Sequence, residues 1–597
     1  MLKKKPSSGE MRACRITRRT EDAATMIFER NQAGFSRRVI PLFLLLILLS
    51  GPLLAKPPKI RSILPLAAAP GKSIELVITG DNLETVTGLW TTFDSKTSIV
   101  AGEKRDAKTL RIRVEIPKET PLGIGAIRAR GPGGLSNPRL FAIDDLATRP
   151  AAGENSTASR ALTIEPPCAI DSQTKTNQVR YYSFKASAGQ GLSFEVLSQR
   201  IGSSLDPVLR ILDSAQKELA YSNDSAGADS RISWRAEKDG SYLLELRDVT
   251  WRGGEGFDYR LRAGDFPLVS APYPLRAEQG TSAKISVAGI HAAGIKPREV
   301  QLPKGSNGRA FSLTVRQPGS NSSNFVTLLS SDLPELLEKE PNNEAGSATR
   351  LEYPGAINGR FSSKGDRDYY SIEGKKGERV LIRGETQRSG SPTDLFLRLE
   401  KPGGEKIADA EDQSYDPGQD KQKGKNYYFD EGSIDHTFAA DGPVILMVED
   451  LTGRGGPEHV YRIEVRPTRG RFALELAETS YQAPRGGSFK VKVHCRRDGY
   501  KGPVELEAAG LPAGAKAGKA RIDQGKTSAE LLISLDKGLK PGTVGTFRIF
   551  TTIEIGGKSQ RLEAGTREAL RKSFPRIFHP PRILDGLAAF AVSEAKK

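Results

Sequence analysis

Six oxygen-bearing side chains gather in one stretch of the sequence: Glu338, Glu340, Asn342 and Asn343, then Asp366 and Asp368 behind Gly365. Carboxylates and amides are hard ligands, and calcium takes about six to eight oxygens, backbone carbonyls among them. Asp366 and Asp368 are alternate residues, so an extended backbone turns both to the same side. Pro341 fixes φ within the first group and narrows the unfolded ensemble. Carboxylates held this close repel one another without a cation, so an ion would order the segment as it neutralises them. A plainer reading stands beside this one. EPNNEAGSA is then a turn followed by an Asn helix cap, and GDRDYY a solvated loop whose aspartates pair with Arg367 or Lys364.

No second constellation competes for chemistry. The five histidines, His291, His436, His459, His494 and His579, are spread along the chain, and none has the HExxH or another metal-ligand spacing. There is no GxSxG elbow and no phosphate-cradling glycine loop after a strand. Cys168 and Cys495 fall in different segments and lack a His and Asn context, so neither a thiol nucleophile nor a disulfide framework is expected. Glu431, Asp435 and His436 read as solvent-facing loop residues. Trp234, Trp251 and Tyr221 are better explained by core packing than by an aromatic binding face. Asp206 and Asp394 read as turn residues before a strand. The sequence predicts no enzyme; its alternative is a secreted hydrolase or protease-related subunit.

The elements that must position the six oxygens are strands. With 61 Gly, 37 Pro and 37% hydrophobic residues, the chain suits short strands and many turns, and long amphipathic helical patterns are nearly absent. At 597 residues it is too long for one core. Residues 1–55 read as a leader or signal peptide outside the fold. Arg37 and Arg38 precede the apolar run Val39–Leu54, and Ala55 is the expected cleavage point, with Met26 an alternative start. The run is shorter than the roughly 20 residues of a spanning helix, so membrane contact is expected only through an uncleaved leader. The net charge is +17, of which residues 1–55 carry ten Lys/Arg against four acids, leaving +11 for the rest. That excess is diffuse, without a basic stripe, and no nucleic-acid binding is expected.

Alternating patterns divide the remainder into modules. Residues 57–145 form one (SIELVIT, TLRIRVEI), a polar linker covers 146–160, and a second module runs from 161 to 264. Residues 266–331 repeat the first in reduced form, and 332–466 repeat the second. Tyr181-Tyr182 matches Tyr369-Tyr370 at an offset of 188, whereas Asp239-Gly240 matches Asp441-Gly442 at 202. An insertion therefore separates these landmarks, expected in SYDPGQDKQKGKNYYFDEG. Residues 472–564 form a fifth module, and 565–597 a tail, read as a docking helix or a frayed end.

Three resemblances follow from these residues. PKIRSILP, APGKSIELVITGDNL, LRIRVEIP and GPGGLSNPRLFAI resemble the IPT/TIG type of immunoglobulin-like domain, and the fifth module resembles bacterial immunoglobulin-like domains. Glu340-Pro341-Asn342-Asn343, Ala348, Gly359, Gly365-Asp366-Arg367-Asp368-Tyr369-Tyr370-Ser371, Asp441-Gly442, Glu449-Asp450, Gly455-Gly456 and Tyr461 resemble the bacterial pre-peptidase C-terminal domain. The earlier copy shares Tyr181 to Phe184, Asp239-Gly240, Arg247-Asp248, Gly253-Gly254 and Tyr259. The resemblance implies a jelly-roll β-sandwich attached to secreted proteins, with calcium held by the acidic, Asn-bearing lead-in and the GD-x-D turn. The calcium ligands expected here are Glu338, Glu340, Asn342, Asn343, Asp366 and Asp368. The earlier copy has Val179-Arg180 before its tyrosines and no EPNN, so no metal is expected there.

The reading as a whole is all-β: a string of tandem β-sandwich modules, secreted or otherwise extracytoplasmic, non-catalytic, and binding an extracellular protein or polysaccharide or accompanying a protease.

Overall fold

Alternation decides the strands. In Thr109–Glu115 (TLRIRVE), Leu110, Ile112 and Val114 are buried while the residues between them are exposed, the mark of a strand with one face on a core. The computed structural model describes residues 56–594 apart from 103–105, 152, 226–228, 412–431, 468–470, 499, 556–557, 576 and 578–580. The expected leader and the expected insertion lie outside the described residues or almost wholly so. The protein is all-β, built of tandem sandwiches, here numbered I to V.

Module I contains β1 (Lys59–Leu64), β2 (Ala67–Ala68), β3 (Ser73–Asp81), β4 (Gly88–Thr91), β5 (Lys96–Ile99), β6 (Thr109–Glu115), β7 (Gly123–Gly131), β8 (Gly134–Leu135) and β9 (Arg139–Ile143). Its sheets run β1-β3-β6-β5 and β2-β9-β7-β4, with β8 beside β7. Module II contains β10 (Thr148–Arg149), β11 (Leu162–Thr163), β12 (Cys168–Gln173), β13 (Arg180–Ala186), β14 (Gly191–Leu197), β15 (Pro207–Leu212), β16 (Glu218–Asn223), β17 (Arg231–Arg235), β18 (Gly240–Asp248) and β19 (Asp258–Gly264). Its sheets run β10-β12-β19-β14-β17 and β11-β13-β18-β15-β16.

Module III is smaller, with β20 (Ala271–Tyr273), β21 (Arg276–Glu278), β22 (Ser282–Ala288), β23 (Arg298–Gln301), β24 (Ala310–Val315) and β25 (Asn324–Ser331), in sheets β20-β22-β23 and β21-β25-β24. Module IV contains β26 (Glu335–Leu337), β27 (Thr349–Arg350), β28 (Gly355–Arg360), β29 (Arg367–Gly374), β30 (Arg379–Glu385), β31 (Leu395–Glu400), β32 (Lys406–Glu411), β33 (Ser433–Thr437), β34 (Gly442–Asp450) and β35 (Val460–Pro467). Its sheets, β26-β28-β35-β30-β33 and β27-β29-β34-β31-β32, repeat the order of module II strand for strand. From β15 and β31 to β16 and β32 the offset is 188; at β17 and β33 it has become 202.

The tail of module V holds a short helix, one of the two forms expected for it, and adds a strand that was not expected. Residues 567–573 form helix α1 (Arg567–Ser573), and Ala588–Ser593 is a strand inside a sheet, flanked by Ser480–Pro484 in parallel and Val544–Ile555 antiparallel. Every residue of that strand is buried, and Phe590 joins the module's aromatic core. The polar linker 146–160 is also part of a module. Leu146 and Asn155 are buried, and Asn155 O accepts the Tyr181 N–H at 2.8 Å.

Buried charge locks the tandem modules together. Asp144, at the end of module I, accepts from Arg260 Nε at 2.7 Å and Arg262 Nε at 3.2 Å, both from β19. Arg262 also binds Glu195 at 2.5 Å and reaches Ser323 O at 2.6 Å in module III. Arg231 of module II pairs with Glu458 of module IV at 3.1 Å. Glu385 of module IV meets Arg276 of module III at 2.6 Å and Arg582 at 3.4 Å. Arg128 of module I donates to Thr479 Oγ1 at 3.0 Å beside module V. Such desolvated ions are tolerated because each has partners; removing one partner typically costs about 3–5 kcal/mol.

Candidate metal centre

The oxygens meet where the lead-in to module IV crosses the end of its sandwich. β26 runs parallel to β28, and the Glu338 N–H continues that ladder by donating to Asn358 O at 3.0 Å. This sets the Glu338 carboxylate against the inner end of β29, where Asp368 is fully buried. Asn342 O accepts the Tyr369 N–H at 2.8 Å, which pins the Asn-bearing segment beside the same strand. Glu338, Glu340 and Asp368 each bring a carboxylate oxygen within 4.8 Å of the others. The buried Asn342 amide has one terminal atom 2.9 Å from Glu340 Oε2 and 3.0 Å from Asp368 Oδ1. With nitrogen there it bridges two carboxylates; with oxygen there it adds a fourth oxygen to the group.

The donors around this group are too few for its charge. Glu338 Oε1 accepts the Arg360 N–H at 2.6 Å, and Oε2 faces the Tyr461 hydroxyl at 3.1 Å. The same hydroxyl lies against Asp368 Oδ2, and Tyr370 OH bonds to it as well. A phenol has one proton, so Tyr461 cannot serve both carboxylates at once. Burial, reinforced by Glu340 and Asp366, pushes Glu338 up to about 7. Burial, then Glu338, Asp366 and Glu340, pushes Asp368 up to about 8. Burial next to Tyr370, Glu338 and Asp368 holds the Tyr461 phenol neutral. Gly359 makes the close approach possible: a Cβ there would sit 2.2 Å from the Tyr461 ring and 2.4 Å from Glu338 Oε2.

Asn343 and Asp366 stand one layer out. Asn343 Nδ2 donates to Asp366 Oδ1 at 3.1 Å, and Asp366 Oδ2 accepts the Ser362 N–H at 2.6 Å, so both close the Gly365 turn. Arg367 is turned toward Glu449, at 2.6 Å, rather than toward the aspartates.

Module II carries the counterpart of this corner, and sequence reasoning missed half of it. Asn155 occupies the place of Asn342, accepting the Tyr181 N–H as Asn342 accepts that of Tyr369. Tyr182 and Tyr259 pair hydroxyls as Tyr370 and Tyr461 do. At the position of Asp368 stands Arg180, whose guanidinium donates to Asn155 Oδ1 and to Gln173 O, both at 2.8 Å. The signal was Glu154-Asn155-Ser156, set before the helical turn Ala158–Arg160 as Asn343 and Glu344 precede Ala345–Ser347.

The remaining sites fall into place more simply. Trp234 packs edge-on against Tyr242 at 4.6 Å on the module II core, but Trp251 and Tyr221 are 44% and 53% exposed, so core packing does not account for those two. Asp206 and Asp394 each precede a strand and keep one buried oxygen without a donor. Two hydroxyl–histidine contacts lack the geometry of an activated nucleophile. Nδ1 of His291 accepts the Leu268 N–H at 3.0 Å, so the neutral ring carries its proton on Nε2 and donates to Ser233 Oγ at 2.8 Å. Thr393 Oγ1 and Asp450 Oδ2 both face Nδ1 of His459, at 3.2 and 3.8 Å, whereas a relay needs the two ring nitrogens.

No family model matches the chain. A 73-residue stretch, 12% of this chain, is 38% identical to a probable subtilase-type serine protease of Deinococcus radiodurans and spans 10% of that protein's length. Among solved structures, the pre-peptidase C-terminal domain of a Bacillus anthracis collagenase is matched over 93% of its length and 17% of this chain, at 18% identity and a TM-score of 0.15. A four-domain ectodomain fragment of ICAM-5 is matched over 98% of its length and 85% of this chain, at 13% identity and a TM-score of 0.12. No helix among the described residues is long and apolar enough to cross a membrane.

Proposed function

We propose that this chain is a non-catalytic secreted or cell-envelope protein that binds an extracellular protein or polysaccharide, with calcium bracing the start of module IV. Glu338, Glu340, Asn342 and Asp368 supply the inner oxygens, and Asn343 and Asp366 shape the turn beside them. The observation that carries this reading is the sharing of one phenolic proton by two carboxylates, the half-buried Glu338 and the fully buried Asp368. A divalent ion neutralises them and ties the lead-in to β29, which stiffens the junction between modules III and IV. Tyr273 of module III, whose hydroxyl lies 3.5 Å from Glu338 Oε1, extends that bracing across the boundary.

Calorimetry tests the calcium reading: the wild type takes up calcium and melts several degrees higher with it, and Glu340→Ala with Asp368→Ala removes both effects. A wild type without any calcium response overturns the ligand assignment. The non-catalytic reading is tested with peptide and glycan substrate panels, where turnover abolished by one point substitution would refute it. Association with a protease is the partner class favoured by the stretch resembling the Deinococcus radiodurans protein.

A further inference from the structure

Module III is module I with one side left open. β20, β22 and β23 repeat the pairing of β1, β3 and β6, and β21, β25 and β24 repeat that of β2, β9 and β7. What has no counterpart is the pair β4 and β5, which in module I flank β7 and β6. There Leu89 and Ile99 plug the side of the core. In module III only residues 289–297 join β22 to β23, too few to supply two strands.

The consequence is an apolar cleft of about 370 Å³ at the vacated place. Ile285 and Val287 of β22, Ile295, and Leu313 and Val315 of β24 line it. Among the described residues β23 pairs with β22 alone, and Arg298, Glu299 and Gln301 are exposed, so its other edge offers free backbone donors and acceptors. Module I covers the opposite face of β24, where the Leu122 N–H donates to Thr314 Oγ1 at 3.0 Å, and leaves the cleft face clear. One bond, from Arg298 Nη1 to Thr314 O at 2.9 Å, crosses the mouth. Lys296 and Arg298 stand at the rim, and among the described residues neither has a carboxylate partner.

We propose that module III is a strand acceptor: an extended acidic peptide segment of a partner protein adds to the edge of β23. Alternate apolar side chains of the segment enter the cleft, as Leu89 and Ile99 do within module I, and its acidic side chains meet Lys296 and Arg298. Main-chain hydrogen bonds give such a complex its register, and the cleft and rim select the sequence. The proposal stands apart from the calcium reading, since no candidate ligand lies in module III.

The test uses the full chain and fluorescence anisotropy with blocked nine-residue peptides alternating valine with glutamate or with lysine. The glutamate peptide binds, and the lysine peptide binds at least tenfold more weakly. In Lys296→Glu with Arg298→Glu that preference inverts. A glutamate peptide N-methylated on the strand-facing set of amides loses binding in the unaltered protein, and one methylated on the other set keeps it. Thermal melting of the double variant with and without calcium checks that the fold and module IV are intact. Failure of the glutamate peptide to bind, or binding indifferent to charge reversal and N-methylation, overturns the proposal. Concentration-dependent dimers that charge reversal abolishes, without peptide binding, would assign the edge to a second copy instead.

Discussion

Modules II and IV wind their two five-stranded sheets in the same order, yet one corner is built with opposite charge. In module IV it gathers Glu338, Glu340 and Asp368 around Asn342; in module II the arginine Arg180 bonds directly to Asn155. The backbone tether is shared, as is the tyrosine pair beneath it. A positive charge belongs at this corner in both copies. Module II carries its own on the Arg180 side chain, whereas in module IV, on the proposed calcium reading, a cation from solution would take that place. The same exchange recurs one strand away. Arg262 and Glu195 pair in module II, and their counterparts Glu464 and Arg383 pair with the signs reversed.

Substitutions can separate what the copies share from what they do not. The largest effect belongs to the shared part. Arg462→Met strands Glu335 and takes one of several arginines from Glu464, and Arg260→Met strands Asp171 and leaves Asp144 with Arg262 alone; each should cost about 3–5 kcal/mol in denaturant unfolding. Similar losses in both would establish the common scaffold. Chelation of calcium comes next and should loosen module IV alone, since a ligand at a hundredfold excess over its Kd contributes about 2.7 kcal/mol. Hydrogen exchange read module by module checks this, and equal loosening of module II would break the contrast. Arg180→Met should destabilise module II by about 1.5 kcal/mol, the worth of hydrogen bonds from a charged donor, and leave the calcium response untouched.

The pH dependence sharpens the contrast further. The folded pKa values of Glu338 and Asp368, about 7 and about 8, lie above the ordinary carboxylate range. The folded state therefore binds more protons than the unfolded one between about pH 4 and pH 8, and stability declines as pH rises through that window. Above it the penalty is constant. Calcium should flatten the decline, and the calcium-dependent rise in Tm should be larger at pH 8 than at pH 5.5. A module IV that grows more stable toward pH 8 without calcium would contradict the picture of unrelieved carboxylates.

The alternation of Leu110, Ile112 and Val114 and the duplicated YYS segments were legible in the sequence because strand period and repeats are local patterns. That Glu338, Glu340, Asn342 and Asp368 lie near one another was legible from the density of oxygen side chains and the family resemblance, but which of the six expected residues turn inward was not, since Asp366 bonds Asn343 and Ser362 instead of joining Asp368. The relation of Arg180 to Asn155 was not, since it depends on which strand the lead-in joins. Nor were the interfaces. Arg260 and Arg262 alternate with Tyr259, Leu261 and Ala263, which identifies the polar face of β19 but not what covers it. Here that face meets Asp144 and Ser323 of neighbouring modules rather than water.

The strand Ala588–Ser593 carries a further consequence for how the molecule is put together. Ser480–Pro484 has no other neighbour in its sheet among the described residues, so it waits for a partner synthesised about a hundred residues later. A chain made from its N-terminus onward keeps the Ser480–Pro484 edge of module V unpaired until that late segment emerges. Loop closure over such a span is slow, and the last sandwich to be finished is the one that also abuts Arg128 at the opposite end of the sequence.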